Sequence, residues 1–504
     1  MAFNLDDNVM PIPIKLAVIP ISQGSLINAS PLSQIIPLFR DKGGTYHLAD
    51  TISVFGEFGF AIQAVDKREG TNNTYQFHRA ELIIDGQPEF ELNYTKIPFS
   101  QGKFAKTVIQ YDLKRKNLGE FQKLYRLAEH RKMSIHASDN SGILGLAPGF
   151  HSVEINIFDA HGNKTLVRGM VAGTFPMTLE AKEIFRDKKV VTLALSPRRG
   201  GLPIRDAVVY NFTPYGFPDQ KVDILHTEQV KKDLHITIPL SAIHGRILQI
   251  IGINQLGGMV NPYHWTTFNP EISVVDVHPN LKVSNTERGL FFQVDLDHYV
   301  PARATIRLAN DNTFMSYSLA QIQPNTFLTE RLSHQVVNNM KYVDVELIHE
   351  GLSRETRFHY LLQAVGPGQE YHVISNDRNC SIETKLGTFY QTNVIWIDNV
   401  KEFAPVTDGF HLSPVYQIQP FDLAIKSKFR VGIRYDRDLV EHSNLGIYYY
   451  DGKDEEWVYT PTENNRRKQI LKAEMDQMDA VTVTQDLDSP QIKNTFPGNS
   501  GRYH

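Results

Sequence analysis

A strand, a tight turn built on Asp with Gly or Asn, and a second strand recur along this chain, and nothing else in it restricts the fold as strongly. Val153, Ile155 and Ile157 alternate with Glu154 and Asn156, the period-two pattern of a strand with one buried face. His161-Gly-Asn163 follows, a trio that tolerates positive φ, and Lys164-Thr-Leu-Val167 supplies the return strand. Arg246-Ile-Leu-Gln-Ile-Ile-Gly-Ile-Asn-Gln-Leu-Gly-Gly-Met259 has the same form, and Asp85-Gly86 and Asp451-Gly452 are further hairpin signals. The 28 Phe and 21 Tyr sit among Val, Ile and Thr runs broken by Asn, Asp, Gly and Pro. These patterns predict an all-β chain of tandem immunoglobulin-like β-sandwich domains, with one short helical insertion in the first.

At 504 residues the chain exceeds what one hydrophobic core serves. Hairpins form the last two strands of an immunoglobulin-like sandwich, so each marks a candidate domain end. The expected division is a linker over 1–9, an enlarged sandwich over 10–173, and sandwiches over 174–268 and 269–368. An all-β domain with the Tyr-rich hairpin Leu445-Gly-Ile-Tyr-Tyr-Tyr450 would span 369–487, and 488–504 would open a further, truncated sandwich or form a tail. In the first domain Leu118, Phe121, Leu124, Tyr125 and Ala128 fall at roughly helical spacing within Leu113–Lys132.

The totals exclude several classes. Hydrophobic residues are 41% and charged residues 21%, a globular composition unlike that of disorder. Net charge is −4, so the chain as a whole is not drawn to nucleic acid or to anionic membrane. The single cysteine, Cys380, rules out an internal disulfide framework and a cysteine-rich zinc site. No apolar run of about 18 residues predicts a membrane span, and Met1-Ala-Phe-Asn-Leu-Asp-Asp-Asn8 lacks the basic and apolar regions of a signal peptide.

Several segments together resemble a known arrangement. They are Pro11-Ile-Pro-Ile-Lys-Leu-Ala-Val-Ile-Pro20, Asn28-Ala-Ser-Pro-Leu-Ser-Gln-Ile-Ile-Pro37, Leu48-Ala-Asp-Thr-Ile-Ser-Val-Phe-Gly56, Ala80-Glu-Leu-Ile-Ile-Asp-Gly86 and Gly149-Phe-His-Ser-Val-Glu-Ile155. The chain resembles the non-catalytic β-sandwich region that follows the catalytic domain in bacterial LytM/lysostaphin-type zinc metallopeptidases, which cut peptidoglycan. The hairpin from Ile447 to Trp457 and the segment at Ser489 are similar to the last modules of such proteins. The resemblance implies a periplasmic or cell-envelope location and peptidoglycan or an envelope protein as partner.

The zinc ligands of that family are a His-x-x-x-Asp pair and a His-x-His motif, and neither occurs among the 19 histidines. His47-Leu-Ala-Asp50 and His136-Ala-Ser-Asp139 are one residue short, which on a strand sends the carboxylate to the opposite face. No catalytic, cofactor-binding or metal-ligating residue is therefore assigned, and no cofactor is expected.

Other patterns have plain readings. Asn310-Asp-Asn312 offers oxygens for calcium but also makes a tight turn, and Asp451-Gly-Lys-Asp-Glu-Glu456 is a hairpin tip. Asp436 and Asp438 share one side of a strand as a glycosidase pair would, without a sugar platform nearby. Arg198-Arg-Gly-Gly201 and Lys114-Arg-Lys116 read as solvated clusters that could touch anionic wall polymer, and Trp265, Trp396 and Trp457 as core positions rather than a stacking surface. The expected function is a non-catalytic, envelope-associated scaffold or binding region. Two alternatives are a fragment of an active zinc endopeptidase whose catalytic domain is encoded upstream, and a stand-alone carbohydrate-binding or adhesive protein.

Overall fold

The computed structural model describes residues 7–68, 73–130, 132–198, 201–268, 272–406, 411–436 and 444–485. Among them the chain is all-β, with many sheets and only short helical turns. It divides into two compact units. The first holds residues up to 367 together with Phe389–Val394 and Asp422–Lys426, and the second holds the remainder. The expected truncated sandwich over 488–504 lies outside the described residues, as do Asp438, Arg199 and Gly200.

The first region of unit 1 places two sheets face to face. Ile12–Pro20 pairs with Phe58–Lys67 and with the first half of Gln34–Arg40. The second half of that same strand pairs with Tyr46–Leu48, so the chain passes from one sheet to the other around Pro37. The second sheet is completed by Lys164–Gly173, Gly149–Phe158, Arg79–Ile84 and Gln87–Asn93. Alternation dictates what meets in the middle: Leu16, Phe60, Ile62, Leu82, Val153, Ile155 and Ile157 are all buried there. Ala17, Ile19 and Ala61 point the other way yet are also buried, because Leu113, Phe121, Tyr125 and Leu127 cover that face. The sequence Ala-Val-Ile at 17–19 is thus continuously apolar for the reason any doubly covered strand is.

The turns carry the geometry their residues were read for. Asp85 and Gly86 both have positive φ (49° and 77°), as a two-residue hairpin of primed type needs. The Asp85 carboxylate accepts the Ser152 N–H at 2.7 Å and lies 2.7 Å from His151 Nδ1, tying this turn to the next strand. The helical insertion lies upstream of the spacing noted in the sequence. Its turns are Phe99–Phe104, Ala105–Val108 and Tyr111–Arg115. The last is closed by a Schellman arrangement, with the Leu118 N–H on the Leu113 carbonyl, the Asn117 N–H on that of Lys114, and Asn117 at φ 57°. Phe121, Leu124 and Tyr125 are buried from extended chain instead, and Leu118 stays exposed.

The next region of unit 1 has two four-stranded sheets, one ordered 179–186, 190–197, 233–239, 226–230 and the other 218–222, 204–212, 247–254, 263–266. Leu193, Leu195, Val209, Ile236, Leu248 and Ile250 form the core between them. The strands from Pro279–Thr286 to Leu352–Val365 follow as an antiparallel array. Unit 2 carries two runs of five paired strands among the described residues. One is ordered 372–374, 380–383, 429–434, 470–475, 462–465, and the other the unit 2 part of Asn393–Val400, then 415–419, 480–485, 445–451, 456–460. Among the described residues no helix is long and apolar enough to cross a membrane.

Candidate functional site

A cavity of about 790 Å³ opens in the first region, between the helical turns of the insertion and the sheet ends around Tyr75 and Tyr94. Its floor is apolar because four side chains that belong to the sandwich core, Phe77, Val108, Met133 and Ile135, turn one side to it. Tyr75 and Ile97, about half exposed, stand at its lip. A pocket of this size and lining suits a small amphiphilic molecule.

Polar groups enter at fixed points. The Tyr94 hydroxyl donates to Gln122 Oε1 at 2.6 Å. The Gln122 amide donates in turn to Gln76 and Glu120, each at 3.3 Å, and Lys114 pairs with Glu120. Burial holds the Tyr94 hydroxyl well above the usual phenol range, so this bridge is a proton-holding one at neutral pH. The far end is acidic. Asp66 presents a buried Oδ1 with no hydrogen-bond partner, and burial, then the Asp159 and Asp7 carboxylates, raise its pKa above the ordinary value.

Asp7, Asp159 and His161 meet at the same end, with one ligand-type atom from each lying within 4.8 Å of the others. The hairpin accounts for this trio. Asp159 Oδ1 accepts the N–H groups of His161 and Asn163 at 2.9 and 2.8 Å, and Oδ2 accepts the Asn163 side chain at 2.6 Å. Asn163 also donates to the Asp7 carbonyl at 2.7 Å, which ties Asp7 to the turn. The sequence marked 161–163 as a turn, but it could not show that Asp7 would arrive there.

The other residues singled out in the sequence are dispersed. His47 pairs with Asp41 at 2.8 Å and stacks on Phe39, away from Asp50. His136 is buried and accepts the Met133 N–H, whereas Asp139 pairs with Lys132. Asn310 Oδ1 takes the N–H groups of Asn312 and Thr313, and Asp311 pairs with Lys341, so this segment is an Asx turn. Asp451 caps its own hairpin at Lys453. Asp436 is exposed, and its supposed partner is outside the described residues. Arg198 pairs with Glu180, Lys114 with Glu120, and Lys116 with Asp422. The three tryptophans are engaged separately: Trp265 packs against the second core, Trp396 Nε1 donates to Asp398, and Trp457 Nε1 donates to the Ala404 carbonyl.

The cavity residues were missed because they come from a strand end, a helical turn, an extended segment and a hairpin tip, no two of which share a sequence pattern. Fold and cavity together define an all-β, multi-sheet chain with a preformed pocket in its first module. No family model matches the chain, and no curated protein matches it in sequence.

Proposed function

We propose that the chain is a non-catalytic, envelope-associated scaffold and binding region of the kind that accompanies peptidoglycan peptidases. It holds wall material or an envelope partner in place and does not cut it. One observation carries the scaffold part: successive regions of unit 1 are locked by buried donors and not merely strung together. Arg331, 5% exposed, donates to the carbonyls of Pro20 and Ile21 at 3.0 and 2.8 Å. Lys123, 1% exposed, reaches Glu287 at 2.6 Å, and the Met259 N–H reaches Ser53 Oγ at 2.9 Å. Buried charges of this sort are costly to separate, so the regions keep a fixed mutual geometry. Fixed geometry is what a positioning scaffold needs, and the preformed cavity gives it a place to hold a ligand without ordering cost.

Co-sedimentation of the full chain with purified peptidoglycan tests the reading. Retention in the pellet well above an inert control of similar charge supports it, and retention equal to the control overturns it.

A further inference from the structure

The outward face of one sheet in unit 2 has a chemistry unlike the rest of this mildly acidic chain. Along Phe429–Arg434 the side chains of Phe429, Val431 and Ile433 are buried, so Arg430 and Arg434 stand on the opposite face, with Gly432, itself covered, between them. The register sets Glu383 beside Arg430, Ser381 beside Gly432, and Lys472 on the other side of Gly432. Glu463 then stands beside Lys472, and Asn465 beside Ile470. The centre of the face, Ser381 and Gly432, is therefore low, and long side chains rise around it. The result is a trough of about 870 Å³.

Among the described residues six cationic side chains line that trough, Arg378, Arg430, Arg434, Arg466, Lys468 and Lys472, against two carboxylates, Glu383 and Glu463. Lys472 is paired with Glu383 at 2.7 Å. The four arginines and Lys468 have no carboxylate within 4.0 Å among the described residues. Loosely spaced cations of one sign around a depression create a field that attracts a multiply charged anion. Asn379, Asn464, Asn465 and Ser381 supply uncharged polar groups to the lining, which donate to and accept from hydroxyls, beside the apolar Ile374 and Ile470. Among the described residues His372 is the only aromatic ring in the lining, so they offer no stacking platform of the kind on which single-stranded nucleic acids depend.

We propose that this trough binds an acidic polysaccharide, with the guanidinium groups of Arg430 and Arg434 taking carboxylates of the sugar chain. Asn379, Asn464, Asn465 and the two glutamates take its hydroxyls. Planar carboxylates and guanidinium forks match in a way that a point charge does not. The inference deepens the envelope-binding reading by naming the polymer chemistry and the surface that meets it.

Affinity electrophoresis or calorimetry on the full chain tests it with four probes: polygalacturonate, neutral dextran, polyglutamate and double-stranded DNA. Polygalacturonate should bind at least tenfold more tightly than the other three, with affinity falling as salt rises. The double variant Arg430→Gln/Arg434→Gln should lose at least tenfold in that affinity while its circular dichroism and unfolding midpoint stay unchanged. Arg198→Gln, in unit 1, should bind as the parent does. Equal binding of dextran, polyglutamate or DNA would overturn the assignment, as would an unaffected double variant or no binding at all. A chain that pellets with peptidoglycan but ignores polygalacturonate contradicts only this inference. One that binds polygalacturonate and does not pellet contradicts only the envelope reading.

Discussion

Arg331 donates through Nη1 to the backbone carbonyl of Ile21 at 2.8 Å, joining residues 310 positions apart. The same guanidinium reaches the Pro20 carbonyl through Nη2, lies 5.5 Å from the Phe291 ring centre, and is pushed down to about 10 in pKa by burial. It remains charged at neutral pH, and its two bonds end on carbonyls of the buried residues Pro20 and Ile21. Arg331→Ala should lower unfolding free energy by roughly 3 kcal/mol or more, since it strands those acceptors. Arg331→Lys should recover only part, lacking the fork that spans two carbonyls. Urea unfolding of the three proteins checks this, and a loss below about 1 kcal/mol for alanine would show that the lock is not structural.

Three histidines make the fold sensitive to acid. Burial holds His136, His264 and His334 each down to about 4. In the unfolded chain each takes up a proton near the ordinary value of about 6.5. The stability they permit is thus fully present above that value and is lost as pH falls towards 4, at up to roughly 3 kcal/mol for each site. Denaturant unfolding at a series of pH values should show stability dropping between 6.5 and 4. His264→Phe should reduce the slope by about one proton, because it removes a buried imidazole whose Nε2 has no partner and whose side-chain hydrogen bond with Gln321 does not offset burial. An unchanged slope would contradict burial as the cause.

Asp66 should behave in the opposite sense to a paired carboxylate. Its pKa is raised, first by burial and then by Asp159 and Asp7, so ionisation is unfavourable in the folded state. The penalty is absent below the unfolded value of about 3.9 and grows as pH rises through the folded one. Asp66→Asn should therefore raise the melting temperature at pH 7 and leave it unchanged at pH 3. A lower melting temperature at pH 7 would mean that the carboxylate makes a stabilising contact.

How much of this was legible in the sequence depended on whether a local pattern or a distant pairing set the outcome. Val153, Ile155 and Ile157, and the positive φ values at Asp85 and Gly86, follow from period and turn chemistry alone. The trough was half legible: Arg430, Gly432 and Arg434 alternate with buried residues in plain view, but their neighbours Ser381 and Lys472 come from strands about 50 and 40 positions away. The helical spacing at 118–128 misled because Asn117 and Gly119 both take positive φ, which stops the helix before Leu118. Arg331 gave no local sign at all, since its partners are backbone carbonyls, which carry no sequence identity.

Binding without cleavage is the centre of this account, and one assay reads both halves. Dye-labelled peptidoglycan is incubated with the purified full chain and added zinc, and the pellet and supernatant are measured separately. The expected result is protein in the pellet and no dye released above a protein-free control. Release of soluble dye that grows with time and with protein concentration would contradict it, and would make this chain a hydrolase.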